Sequence, residues 1–261
     1  MNNSIEDNDM SGGGLEAKVA EKLIKIAIKQ GWFDKLVTVF QKKHKILLLG
    51  STGVGKTNLV QSLTEITPKA IHHMNRTEFI KKQHIKIAKK PFVLIDTPGQ
   101  AEHKYYRKEG MLDVMKEKIS GIINVVSYGY HEYRIGVDKV YRKDGSFRAN
   151  FLKRHRENEI EAIKKWTPLL GTPELIKWII TVVTKADLWW DYRESILQFY
   201  EQGKYYDNLG EAKSIHHVVE YCSVIHKFYG KGRVSGLFDD SDRIRLQVNL
   251  LRTLTESIGG D

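Results

Sequence analysis

Eight consecutive residues, Gly50-Ser51-Thr52-Gly53-Val54-Gly55-Lys56-Thr57, carry the spacing G-x-x-x-x-G-K-[ST]. The chemistry this spacing serves is the binding of a phosphate chain. Glycines let backbone N–H groups turn inward without a Cβ clash and line a concave anion site. Lys56 supplies a cation for the β- and γ-phosphates, and the Thr57 hydroxyl is a ligand for Mg²⁺. A second cluster, Asp96-Thr97-Pro98-Gly99-Gln100, follows an apolar run. There the Asp96 carboxylate could hold Mg²⁺ through water, and Gly99 could offer its N–H to a terminal phosphate. A third, Thr184-Lys185-Ala186-Asp187, also follows an apolar run. A carboxylate at Asp187 could accept two hydrogen bonds from guanine N1–H and its 2-amino group. Adenine lacks that donor pair and would leave the carboxylate unpaired.

The elements that must hold these clusters can be read from hydrophobic pattern. His44 to Leu49 ends in the run Ile46-Leu47-Leu48-Leu49 and predicts a buried strand, and Lys56 to about Ile66 predicts the helix after it. Lys82 to Lys90 alternates loosely before Pro91 and predicts an edge strand. Phe92 to Ile95, Gly121 to Val126, Trp178 to Val183 and His217 to Tyr221 predict further strands. Helical patterns cover Asn158 to Leu170, Ser195 to Glu201 and Asp242 to Ile258. Alternating strands and helices imply an α/β, three-layer fold: a mostly parallel sheet with helices on both faces and ligand at the carboxyl ends of the strands.

The 261 residues suffice for one large α/β domain with an appendage. Residues 1–14, rich in Asn, Asp and Gly, are expected to be a disordered tail. Residues 15–41 are expected to form an amphipathic helical extension, with Lys18, Lys22, Lys25 and Lys29 on one face and Val19, Leu23, Ile26 and Ala27 roughly opposite. This extension either packs on the globular domain or contacts a partner or a peripheral anionic membrane through residues 15–40. Residues 42–261 make up the domain, with a basic and aromatic insertion at about 128–156. Lys143-Asp144-Gly145-Ser146 reads as a hairpin turn within it. Tyr128, Tyr130, Tyr133, Tyr141 and Phe147 interleave with Arg134, Arg142, Lys143 and Arg148. Such a pattern could stack nucleic acid, but no defined nucleic-acid motif is present, and a solvated or protein-docking surface is the favoured reading. The net charge of +10 points to acidic partners: nucleotide, nucleic acid or anionic membrane. One cysteine, Cys222, fits a reducing compartment, so a cytoplasmic protein, with peripheral membrane contact as the variant, is expected.

In these motifs and their order the sequence resembles the Ras-like P-loop GTPases, from about Lys45 onward. Gly50 to Thr57 matches that family's phosphate-binding loop, Asp96 to Gln100 its switch II motif, and Thr184 to Asp187 its base-recognition motif in the Thr form. Tyr221-Cys222-Ser223 falls at the final base-contacting loop, with Val rather than Ala after Ser223. The resemblance implies GTP as substrate, GDP as product and Mg²⁺ as cofactor. It implies Gln100 as the group orienting the attacking water, Lys56 on phosphate, and Thr57, Asp96 and a switch I threonine on the metal side. Thr77 is chosen for that last role by its distance from Lys56, with Thr64 and Thr67 as alternatives. Gly50, Ser51, Thr52, Gly53, Val54, Gly55, Gly99, Lys185, Asp187, Thr184 and Ser223 complete the implied nucleotide site. Thr52 stands where Ras has Gly, which implies slow intrinsic hydrolysis. Protein effectors or regulators are the implied partners. Two rivals stay open: a non-hydrolysing scaffold, and an Era-like RNA- or ribosome-associated GTPase.

Overall fold

In a computed structural model of the chain, the residues described are 45–64, 81–87, 90–96, 119–131, 140–167, 176–209, 215–223 and 236–259. Six strands form one sheet: β1 (Lys45–Gly50), β2 (Lys81–Ile87), β3 (Lys90–Asp96), β4 (Ile119–Val126), β5 (Trp178–Val183) and β6 (His216–Tyr221). Their order is β2-β3-β1-β4-β5-β6. Only β2 runs antiparallel, beside β3 at one edge. It carries Lys at positions 81, 82 and 86, the charge pattern that blunts an open edge.

The strand β1 lies where the order reverses, flanked by β3 and β4. Ligands of open α/β sheets bind at the carboxyl ends of such strands. The register sets Leu48 of β1 opposite Asp96, so the loop after β1 and the end of β3 meet at one rim of the sheet. The strand β4 ends at Val126 opposite Val183 of β5, and β5 hands on to Tyr221 of β6. All the motifs with chemical potential in the described residues therefore emerge at this rim.

Helices cover both faces, and the alternation of strand side chains shows why. Leu47 and Leu49 of β1, Ile122 and Val126 of β4 and Ile179 and Val183 of β5 face one layer. There they pack on Ile160, Ile163 and Trp166 of α2 (Ala149–Trp166) and on Ile196 and Tyr200 of α4 (Arg193–Glu201). Ile46, Leu48, Ile123, Val125, Ile180 and Val182 face the other. These meet Leu59 and Leu63 of α1 (Lys56–Thr64) and Leu250, Leu251 and Leu254 of α6 (Asp240–Gly259). Strands buried on both faces read as continuous apolar runs, as β1 and β5 do. Short helical turns α3 (Ala186–Trp189) and α5 (Lys204–Asp207) and a 3-10 turn at Trp190–Tyr192 complete the described elements.

The three-layer α/β reading holds. Of the insertion expected at about 128–156, residues 132–139 lie outside the described residues, and the turn read at Lys143 to Ser146 is followed by helix rather than by a second strand. Arg142 to Ser146 forms a turn, with a backbone hydrogen bond from the Arg142 amide to the Ser146 carbonyl, closed by one isolated bridge between Tyr141 and Phe147. From Ala149 the chain is already helical. Helix wins because Phe151, His155, Glu159 and Ile163 recur every fourth residue and are all buried. Three of the rings in this segment pack on one another, Tyr130 edge-on to Phe147 at 4.8 Å and Tyr141 tilted on Phe147 at 4.7 Å, rather than standing out for a base to stack on; Tyr133 lies outside the described residues. Among the described residues no helix is long and apolar enough to cross a membrane. The expected tail at 1–14 and the extension at 15–41 lie outside the described residues.

Candidate functional site

The loop after β1 has the backbone that its glycines predict. Gly50, Gly53 and Gly55 have φ of 145°, 80° and 95°. At Gly50 the requirement is twofold. The positive φ is one that a side chain rarely adopts, and a Cβ would lie 2.5 Å from the Val125 carbonyl oxygen of β4. The loop thus sits tight against the neighbouring strand. Lys56 opens α1, and its ammonium donates to the carbonyls of Gly50 at 2.8 Å and Ser51 at 3.3 Å. Val54 is fully buried beneath the loop. The Thr52 hydroxyl is buried with no hydrogen-bond partner among the described residues. Thr57 follows Lys56 in the first turn of α1.

The loop after β5 clasps the loop after β1. The Thr184 hydroxyl reaches the Val54 carbonyl at 2.5 Å and the Val126 carbonyl at 3.0 Å. One proton serves one of these acceptors at a time. Lys185 adopts the left-handed conformation, φ 60°, and its ammonium donates to the Gly53 carbonyl at 2.7 Å and to the Tyr130 carbonyl at 2.5 Å. The Trp189 indole N–H donates to the Thr184 carbonyl at 2.7 Å and fixes the turn from behind.

Asp187 lies in the first turn of α3, 3% exposed. The Ser223 hydroxyl donates to its Oδ1 at 2.6 Å. Burial pushes the Asp187 carboxyl up to about 7, against the hydrogen bond from Ser223, which works to lower it. A buried acceptor raised this far is one that gains from two N–H donors, the pair guanine offers. Backbone hydrogen bonds tie the two loops: the Ala186 amide to the Cys222 carbonyl at 3.2 Å, and the Cys222 amide to the Val183 carbonyl at 3.0 Å. Cys222 itself is buried, and burial pushes its thiol up to about 12, so it is unreactive.

The sequence-predicted residues of the loop Gly50 to Thr57, with Thr184, Lys185, Asp187 and Ser223, are thus brought together at the rim. Asp96 is the last residue of β3 and belongs to the same rim by register. Thr77, Gly99 and Gln100 lie outside the described residues. Sequence reasoning missed the Tyr130 carbonyl and the groups that hold it. A backbone carbonyl leaves no mark in a sequence. Glu159, buried in the apolar stripe of α2, does: a carboxylate among apolar positions needs a partner.

Residues 45–165, somewhat less than half of the chain, match the family model described as "50S ribosome-binding GTPase". None of the curated proteins compared with the chain matches it. Among solved structures, the Arl6/BBS3 small GTPase of Trypanosoma brucei with bound GppNp is similar over 82% of this chain and 97% of its own, at 12% identity and a TM-score of 0.43. Toc33 of Arabidopsis thaliana is similar over 87% of this chain and 92% of its own, at 16% identity and a TM-score of 0.43. The mammalian SRP receptor structure gives 82% and 100%, at 14% identity and a TM-score of 0.44. At such scores these three likenesses bear no weight on function. The family match, over a segment that includes the phosphate-binding loop, supports guanine-nucleotide binding. The matched segment, 45–165, holds the phosphate-binding loop and the strands β1 to β4, and its motif stands at the rim of the sheet together with Thr184 to Asp187.

Proposed function

We propose that this protein is a GTP-binding, GTP-hydrolysing molecular switch. The observation that carries the reading is the clasp between the loops after β1 and β5. Lys185 holds Gly53, Thr184 holds Val54, and buried Asp187 is presented beside them with Ser223. A phosphate cradle and a base-selective carboxylate are thereby fixed at one spacing. Binding starts from that preorganised frame, which limits the ordering cost.

In the proposed mechanism the amides of Gly53 to Lys56 and the Lys56 ammonium take the β- and γ-phosphates. Lys56 then exchanges its bonds to the Gly50 and Ser51 carbonyls for phosphate oxygens. Guanine N1–H and its 2-amino group donate to Asp187, while the Lys185 stem lies along the base. The donor set fits Mg²⁺: Thr57 lies in the first turn of α1 beside the cradle, and Asp96 ends the strand paired with β1 at the same rim. Thr57 would ligate it directly and Asp96 through water, with Thr77 joining from the segment before β2. The ion would supply neutralisation of charge on the phosphates. Gln100 orients the water in line with the γ-phosphate. Thr77 and the Asp96–Gln100 loop respond to the γ-phosphate and are released after hydrolysis. Thr52, with its branched side chain in the cradle, keeps the intrinsic rate low.

Single-turnover phosphate release from preloaded GTP tests this. Gln100→Leu should leave GTP affinity nearly unchanged and slow release at least about tenfold, ~1.4 kcal/mol of transition-state stabilisation. Equal rates would mean that Gln100 does not orient water and would return the domain to the non-hydrolysing scaffold. A second reading is supported by the description of the matched family and by the net charge of +10: association with a ribosomal particle or other RNA. A steep fall in RNA affinity with salt would support it, and RNA binding absent at low salt would end it.

A further inference from the structure

We propose that Glu159 is a positioning residue for nucleotide binding: its carboxylate fills the concave amide face of the Ser127–His131 turn and so holds the Tyr130 carbonyl where it receives the Lys185 ammonium that grips Gly53. The proposal rests on the nucleotide-binding reading of the site and adds to it a residue from α2 that no motif contains.

The turn after β4 has an unusual backbone. Tyr128 and Gly129 are consecutive residues of positive φ, 52° and 85°. Tyr128 is no glycine, and a side chain adopts that conformation only where its surroundings impose it. At Gly129 a Cβ would overlap the Leu152 carbonyl of α2, so the turn is pressed onto that helix. Successive residues so folded turn their amides to one side and make a concave anion-binding nest. In this protein the anion is the protein's own. Glu159 Oε1 accepts from the Ser127 amide at 2.9 Å, the Gly129 amide at 3.3 Å and His131 Nε2 at 2.9 Å. Its Oε2 accepts from the Tyr200 hydroxyl at 2.8 Å. The amide between, that of Tyr128, donates to the same Tyr200 hydroxyl at 3.0 Å. The remaining two amides close within the turn, Tyr130 to the Ser127 carbonyl at 2.9 Å and His131 to the Gly129 carbonyl at 2.8 Å.

Glu159 is 2% exposed. Burial alone would push its carboxyl up; the bonds from His131, the Ser127 amide and Tyr200 outweigh burial and hold it below the usual carboxylate range. His155 stacks on His131 at 4.8 Å and closes the pocket. Glu159 thus holds the Ser127 and Gly129 amides directly and the Tyr128 amide through Tyr200, and the Tyr130 carbonyl of the same turn accepts from Lys185. The turn is therefore held between a carboxylate and an ammonium. Through Lys185 this reaches the phosphate loop at Gly53 and the base-reading turn at Thr184–Asp187. A contribution to fold stability alone would not predict that connection.

The test is a double-mutant cycle on the full chain, read by affinity for mant-GDP with Mg²⁺ and, in parallel, by melting temperature without nucleotide. The variants are Glu159→Gln, Lys185→Met and the two together. Gln keeps the size and one acceptor oxygen but weakens the bonds that the Ser127 amide and hydroxyl, the Gly129 amide and His131 make to Oε1. The expected result is a five- to tenfold loss of mant-GDP affinity from Glu159→Gln in the wild-type background and less than twofold in the Lys185→Met background. The melting temperature should fall by the same amount in both. Equal fold-losses in the two backgrounds, or no loss in either, would overturn the proposal and leave Glu159 as a fold element only. Tyr200→Phe, which removes one bond on each side of the nest and keeps the carboxylate, gives a second cycle should Glu159→Gln not fold. Its expected loss is two- to fivefold, again abolished by Lys185→Met, and additivity there also overturns the proposal. Wild-type protein that takes up no mant-GDP would refute the nucleotide-binding reading itself, a result separate from any behaviour of the Glu159 cycle.

Discussion

Asp187 makes the affinity of this site for guanine depend on pH in a way that can be worked from the structure. Burial raises its carboxyl to about 7 in the protein without nucleotide. Only the carboxylate can accept both guanine donors, so the ionised fraction sets the apparent affinity. One pH unit below such a value about one molecule in eleven is ionised, and one unit above about ten in eleven. The dissociation constant for GDP should therefore fall roughly tenfold between pH 6 and pH 8, ~1.4 kcal/mol. Binding near pH 7 should release about half a proton. Stability has the opposite sign. A folded value raised from 3.8 means that the carboxyl contributes stability fully present below 3.8 and lost as pH rises through about 7; bound guanine reverses that loss. The assay is titration calorimetry of GDP, with Mg²⁺ in excess to keep the diphosphate ionised, in buffers of different ionisation enthalpy. Ser223→Ala, which removes the hydrogen bond that lowers the Asp187 value, should move the midpoint upward. A dissociation constant flat from pH 6 to 8, with heats independent of buffer, would refute the reasoning.

Two further outcomes follow from the same geometry. Gly50→Ala places a methyl 2.5 Å from the Val125 carbonyl at a φ of 145° and should destabilise the protein by about 1–3 kcal/mol, seen as a loss of several degrees in melting temperature. Lys56→Ala removes an ammonium that the bound phosphates use in the ground state, so GDP and GTP affinities should both fall at least about tenfold. A change confined to the hydrolysis rate would contradict its assigned role.

Much of this architecture is legible in the sequence because its central strands, β1, β4 and β5, are buried on both faces. Trp178 to Val183 forms as read, and the other apolar runs shift only by one or two residues at their ends. The cradle is legible for a different reason: its glycines are demanded by φ and by the closeness of β4, and those demands fix residue types. The start of α2 was not legible. Its buried stripe, Phe151, His155, Glu159 and Ile163, includes a histidine and a carboxylate, which hydrophobic pattern counts as surface. The same two residue types conceal the support of the base-reading turn. Their partners are backbone amides of Ser127 and Gly129, and a sequence marks a backbone donor only where glycine betrays the conformation.

The measurement that bears most directly on the central claim is thermal unfolding of the wild-type protein with GDP–Mg²⁺ against ADP–Mg²⁺. At a concentration of 100 Kd a guanine nucleotide adds ~2.7 kcal/mol to stability, a rise of several degrees for a chain of this size. The account predicts that rise with GDP, its absence with ADP, and its loss in Asp187→Asn, with xanthine nucleotides taking guanine's place. Equal stabilisation by ADP and GDP would contradict it, because a buried carboxylate beside the cradle would then be selecting nothing.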